Sequence, residues 1–239
     1  MIKETIPNKL LKLITEEEIM MFEELQKIIQ DLNHKTNLTR LIEGEDYWIS
    51  QVYDSIWPFK ENSNINFDNK KFIDIGSGCG FPGFAYAIIH PNSEIYLVDS
   101  SKKKTDSLKT IINNVNFKNK FFIINERIET FTRKSLFKNT FEIAVVRAVS
   151  NPSTVSEYIL PTLIPKGVGI LYCGKWNTEE QKKLSKTLDI LNGKILEIKT
   201  NSLPNNRGTR NAIFIQPKGI CPLTYPRDVG KAEKYPILG

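Results

Sequence analysis

Between residues 71 and 191 short apolar runs alternate with stretches patterned for helices, and this alternation leaves the chain few possible folds. The runs are 71–75 (KFIDI), 94–98 (EIYLV), 120–124 (KFFII), 141–146 (FEIAVV) and 168–173 (VGILYC). Helical spacing fills 82–90, 101–115, 152–161 and 178–191. Short apolar strands separated by helices imply a mostly parallel sheet covered on both faces, a doubly wound α/β domain. The segments 194–200 and 210–216 follow with no helix between them, which predicts an antiparallel hairpin or edge pair joined by the loop NSLPNNRG.

Upstream, residues 15–34 place Ile19, Phe22, Leu25, Ile28, Ile29 and Leu32 at helical spacing, and Thr15 with Glu18 forms a capping box. A second helix is predicted over 45–57, ending before Pro58. The polar, turn-rich stretch KENSNINFDNK at 60–70 reads as a linker. The expected division is a helical N-terminal segment, 1–60, and a larger α/β domain, 61–239.

No window approaches a run of about 18 apolar residues, so no membrane span is expected. The first 18 residues lack a secretory apolar core, which makes the cytoplasm the expected compartment. Cys79, Cys173 and Cys221 are odd in number and widely spaced, which argues against a disulfide framework. With only His34 and His90 and no Cys-x-x-Cys pair, no metal is expected. Cys79 reads as a small residue packed in a glycine-rich loop, and monomer is the expected state.

The net charge is +6, but 26 of the 33 basic residues are lysine, which a lysine-rich proteome also produces. Its distribution says more. Residues 1–60 carry 7 basic and 11 acidic side chains, and residues 61–239 carry 26 and 16. The positive excess lies in the α/β part and favours an anionic partner there.

The first strand breaks into DIGSGCGFPG. Asp74 is followed by Gly76, Gly78 and Gly80 at every second position. Such a turn lets backbone approach a ligand at the carboxyl edge of the sheet. The spacing departs from the dinucleotide pattern, and no G-K-[ST] closes it as a phosphate loop. An acidic residue two positions before the first glycine would repel a phosphate and hold an ammonium group, which suits the amino acid end of S-adenosylmethionine. Asp99 ends the second strand 23 residues after Gly76, near the stagger of about 20 at which a carboxylate accepts ribose hydroxyls. Asp99, Ser100 or Ser101 could instead cap the next helix. Ile128 and Glu129 follow the third strand, where an apolar residue beside a carboxylate suits a purine face and its exocyclic amine. Arg147 ends the fourth strand, poised to enter the crevice or to form a salt bridge.

Taken together, DIGSGCGFPG, LVDS, RIE, VRA and LYCGK resemble the GidB/RsmG family of bacterial small-subunit ribosomal RNA guanine-N7 methyltransferases. NLT at 37–39, DSI at 54–56 and the tail YPRDVGKAEKYP at 225–236 extend the resemblance over nearly the whole chain. It implies a Rossmann-like class I S-adenosylmethionine-dependent methyltransferase domain at 61–239, ending in a basic tail. It also implies cofactor contacts by Gly76, Phe81, Asp99 with Ser100 and Ser101, Ile128 with Glu129, and Arg147. To these the residues themselves add Asp74 and Gly78. The implied partner is 16S ribosomal RNA or the small ribosomal subunit. Two departures stand out: Gln51 occupies the place of a histidine usual in the family, and Gly174-Lys175 inverts a usual Lys-Gly.

Guanine N7 carries a free lone pair, so its methylation needs alignment more than a base. The chain accordingly lacks an Asp/Asn-Pro-Pro-aromatic motif and a Pro-Cys pair. Arg147 is the candidate catalytic residue, stacking on or hydrogen-bonding the guanine, or else holding the cofactor carboxylate. Lys102–Lys104, Lys182, Lys183, Lys186, Arg207, Arg210 and Arg227 are the candidate phosphate contacts. The alternatives are a methyltransferase for another RNA, a protein or a small molecule, or a non-catalytic RNA-binding factor with a vestigial pocket.

Overall fold

A computed structural model of the chain describes residues 6–62 and 64–238. The five apolar runs become strands β1 (Lys71–Ile75), β2 (Glu94–Asp99), β3 (Lys120–Asn125), β4 (Phe141–Arg147) and β5 (Leu163–Cys173), all parallel. The expected hairpin is β6 (Gly193–Ser202) with β7 (Thr209–Pro217). It joins through β7, which runs antiparallel to β5, so the order is β3-β2-β1-β4-β5-β7-β6. The chain reverses its direction of growth between β1 and β4, and the carboxyl edge there is where an open α/β sheet leaves a crevice.

Strand alternation divides the core in two. On one face Phe72, Ile95, Leu97, Ile143 and Val145 pack with the N-terminal helices and with α5 (Gly83–Ile89) and α6 (Lys102–Asn114). On the other, Ile73, Ile75, Val98, Ala144 and Val146 meet α7 (Ile128–Arg133), α8 (Pro152–Ile159), α9 (Thr178–Ile190) and α10 (Lys231–Lys234). The N-terminal helices are α1 (Asn8–Leu11), α2 (Glu16–Thr36), α3 (Gly44–Tyr47) and α4 (Asp54–Lys60). In α2 the capping box forms as expected: Thr15 Oγ1 accepts from the Glu18 N–H, and Glu18 accepts from the Thr15 N–H. Its Ile19, Phe22, Leu25 and Ile29 lie in the same apolar cluster as Phe72 of β1.

The helix expected over 45–57 continues to Lys60, with Pro58 inside it. Between α3 and α4 the chain widens into a π-helical stretch, Trp48–Tyr53. An interior proline costs a helix about 3 kcal/mol. Here that cost is offset because Trp57, Pro58 and Phe59 are all buried, the Phe59 ring edge-on to Phe67, Phe72 and Tyr86. Burial of two large aromatics outweighs it.

Candidate functional site

The turn after β1 is built by glycines. The Gly76 and Ser77 N–H groups donate to the Val98 carbonyl, joining the loop to the end of β2. Gly76 has φ of +75°, and a Cβ there would lie 2.5 Å from Cγ2 of Val149, so no other residue fits without displacing that side chain. Asp74 lies beneath the turn, 1% exposed. Its Oδ2 accepts from the Gly83 N–H at 2.9 Å, while Oδ1 has no hydrogen-bond partner. Burial raises its carboxyl to about 7, opposed by the Gly83 N–H and the Arg147 charge.

A cleft of about 250 Å³ opens beside this turn. Gly76, Asp99, Ser100 and Ile128 line it, together with Val149 and Tyr158. Asp99 Oδ2 accepts from the Gly78 N–H at 2.9 Å, and Oδ1 from the Ser101 N–H at 2.8 Å. Each carboxylate oxygen has a second lone pair left for a ligand hydroxyl. The helix cap is Ser101, whose Oγ accepts from the Lys104 N–H. Asp99 is thereby relieved of the capping role.

The remaining expected residues lie outside the cleft wall. Phe81 is buried, edge-on to Tyr47. Glu129 is fully buried beneath α7 and binds Arg127 through both oxygens, with Oε1 also accepting from the Gly230 N–H. Arg147 reaches from the end of β4 to the π-helical stretch. It donates to the Ser50 carbonyl, to Ser55 Oγ and to Gln51 Oε1, with Asp54 3.8 Å away. Gln51 Nε2 in turn contacts Cys79 Sγ at 2.9 Å. Gln51, standing where the family usually has histidine, thus ties the glycine turn to Arg147.

Several residues enter the site without a signal in the sequence. Val149 closes over Gly76 from a segment whose first residue, Ala148, has φ of +57°. Tyr158 of α8 lines the cleft, and its buried hydroxyl has no hydrogen-bond partner among the described residues. Glu233 comes from the C-terminal tail. Among the described residues no group of three or more His, Cys, Asp or Glu side chains could hold a metal ion, and no helix is long and apolar enough to cross a membrane.

The candidate phosphate contacts separate by class. The three arginines bind their own chain: Arg207 to Glu45 and Asp46, Arg210 to Asp54, and Arg227 to the fully buried Glu157. Lys102 pairs with Asp106 and Lys183 with Glu179 along exposed helix faces. Lys104 stands 3.9 Å from Asp99 at the cleft rim. Lys103, Lys182 and Lys186 are exposed and make no ion pair among the described residues.

A donor set of one tip carboxylate, open glycine backbone, an apolar wall and an unpartnered hydroxyl fits a nucleoside with a charged tail. Solved structures agree on the fold. Fibrillarin of Aeropyrum pernix, in complex with natively bound S-adenosyl-L-methionine, superposes with a TM-score of 0.52 at 14% identity, over 68% of this chain and 73% of that one. The architecture is that of class I S-adenosylmethionine-dependent methyltransferases. Ribosomal RNA small subunit methyltransferase G of Prochlorococcus marinus subsp. pastoris is 72% identical over the full length of both chains. Its counterpart in another Prochlorococcus marinus strain is 42% identical over 93% of this chain and 90% of the relative. Residues 18–209 match the family described as GidB, rRNA small subunit methyltransferase G, and with both relatives agreeing, the chain belongs to that family.

Proposed function

We propose that the protein methylates N7 of a guanine in 16S ribosomal RNA, using S-adenosylmethionine held in the cleft between β1, β2 and α8. The observation that carries this reading is Asp99 at the tip of β2, lining one cleft with the Cβ-free Gly76, in a chain of the GidB family. When bound, the cofactor supplies a methyl group on a sulfonium that leaves as a neutral thioether. The protein's share is binding and alignment. Asp99 takes the ribose hydroxyls, the backbone at Gly76 and Gly78 lies against the amino acid end, and Ile128 and Val149 give apolar contact. Asp74 organises the turn from below through Gly83. Arg147 is a positioning residue in this reading: it holds the π-helical stretch against the sheet edge, beside the space a target base would enter.

The state of the carboxylates supports a nucleophile that needs no deprotonation. Asp54 is paired with Arg147 and Arg210, Asp74 is buried under the turn, and Glu129 is consumed by Arg127 and Gly230. None of the three is placed to take a proton from an exocyclic amine. Guanine N7 offers its lone pair without one, and attack then depends on proximity and orientation.

The test is transfer of labelled methyl to small subunits, protein-free 16S RNA and free nucleosides in parallel. Label should appear in RNA and render it cleavable by borohydride followed by aniline, the chemistry of 7-methylguanine. Label in protein alone, or in RNA that resists cleavage, would overturn the proposal.

A further inference from the structure

The family match ends at residue 209, yet the chain beyond β7 returns to the cleft. Two fully buried carboxylates anchor this tail. Glu157 takes the Arg227 backbone N–H at 2.7 Å and its guanidinium at 2.7 and 3.0 Å. Glu129 takes the Gly230 N–H at 3.0 Å. The Thr154 hydroxyl donates to the Ala232 carbonyl and the Thr187 hydroxyl to that of Ile237, while Ala232 and Ile237 are themselves buried. Arg133 binds Asp228 at 2.8 Å. So anchored, α10 is a fixed wall of the cleft and not a loose basic extension.

This wall brings Glu233 into the cleft lining, beside Arg127 and together with Ile128. Glu233 remains 45% exposed, with Arg127 Nη2 3.6 Å from its carboxylate. Beside it the Tyr158 hydroxyl is buried and has no hydrogen-bond partner among the described residues. A buried hydroxyl without a partner is left desolvated and unpaired, so a ligand that pairs with it binds more tightly. Burial and the Glu129 and Glu233 charges push its pKa up, so it keeps its proton and acts as a donor. The wall therefore presents one donor and one carboxylate acceptor, beside apolar Ile128. Adenine has the complementary edge: ring nitrogens that accept and an exocyclic amine that donates.

We propose that Glu233, carried by the C-terminal tail, reads the exocyclic amine of the cofactor's adenine, with Tyr158 donating to the same ring. This takes over the part that chain position alone gives to Glu129, whose oxygens are turned inward to hold the tail. The other glutamate lining the cleft, Glu126, is already engaged by Lys134 at 2.8 and 3.0 Å. The assignment rests on the cofactor reading above.

Calorimetry with S-adenosylhomocysteine and S-inosylhomocysteine, in which an exocyclic carbonyl oxygen replaces the amine, separates the possibilities. The unaltered protein should prefer the adenine compound by about tenfold or more, the worth of one charge-assisted hydrogen bond. Glu233→Gln presents either an acceptor or a donor and should bring the two affinities within about threefold of each other, with an unchanged melting temperature. Retained preference in Glu233→Gln, its loss in Glu126→Gln instead, or no preference in the unaltered protein would overturn the role of Glu233 while leaving the cofactor in place. Failure of the unaltered protein to bind S-adenosylhomocysteine at all would remove the cofactor reading and this inference with it.

Discussion

Asp74 is the residue whose position and chemistry pull hardest in opposite directions. Its place in β1 forces the carboxyl into the core, where an ionised form is costly. One Gly83 N–H and the Arg147 charge offset only part of that cost, and the group titrates near 7 instead of its ordinary 3.8. Between those values the folded protein keeps a proton that the unfolded chain has lost. Stability from this group therefore falls as pH rises from about 4 to about 7 and is level above. Asp74→Asn keeps an oxygen for Gly83 and removes the titration. In urea unfolding, the variant should gain on the unaltered protein as pH rises from 5 toward 7, by up to about 1.4 kcal/mol per pH unit. Parallel stability curves for the two proteins would contradict this account.

At the level of elements, local pattern and long-range contact part company. All five parallel strands, the hairpin and the capped α2 are legible because each is written in consecutive residues: apolar runs, turn residues, a capping box. Gly76, Asp99, Ser100 and Ile128, which line the cleft, are likewise legible as positions, since they sit at fixed offsets from strand ends. Glu129, Phe81 and Arg147 have the right offsets too, yet their side chains are spent on partners 101, 34 and 96 positions away, Gly230, Tyr47 and Gln51. No local pattern records such pairings. The tail shows this most plainly, because Arg227 reads as a phosphate contact and instead neutralises Glu157. Arg227→Met should leave a fully buried carboxylate uncompensated and destabilise the protein by about 3 kcal/mol or more. Adding Glu157→Met should restore much of the loss, as replacing both partners of a buried pair often does. A loss below about 1 kcal/mol in denaturant unfolding would show that the tail does not depend on that pair.

Over the whole molecule, the charge that could meet RNA is smaller than the sequence total implies. The acidic N-terminal segment answers part of the basic surplus directly: Glu17 with Lys118, Glu45 and Asp46 with Arg207, Asp54 with Arg210. Among the lysines that remain are those of two helices that cover opposite faces of the sheet, α6 and α9. Both helices start at the carboxyl edge, but their lysines stand at different depths. Lys102 and Lys103 are the first two residues of α6, immediately after Asp99 and Ser100 of the cleft. Lys182 and Lys186 are the fifth and ninth residues of α9, about 6 and 12 Å down its axis at 1.5 Å per residue. RNA that delivers a base to the cleft must cross the first pair and need not reach the second. Each phosphate neutralised contributes about −0.7 to −0.9 to the slope of log K against log salt. Lys102→Ala with Lys103→Ala should therefore reduce the salt dependence of 16S RNA binding by about 1 to 2, whereas Lys182→Ala with Lys186→Ala should leave it unchanged. Lys104 is kept in both variants because it lines the cleft beside Asp99. Equal effects from the two pairs, or a larger one from α9, would place the RNA path across the other face of the sheet.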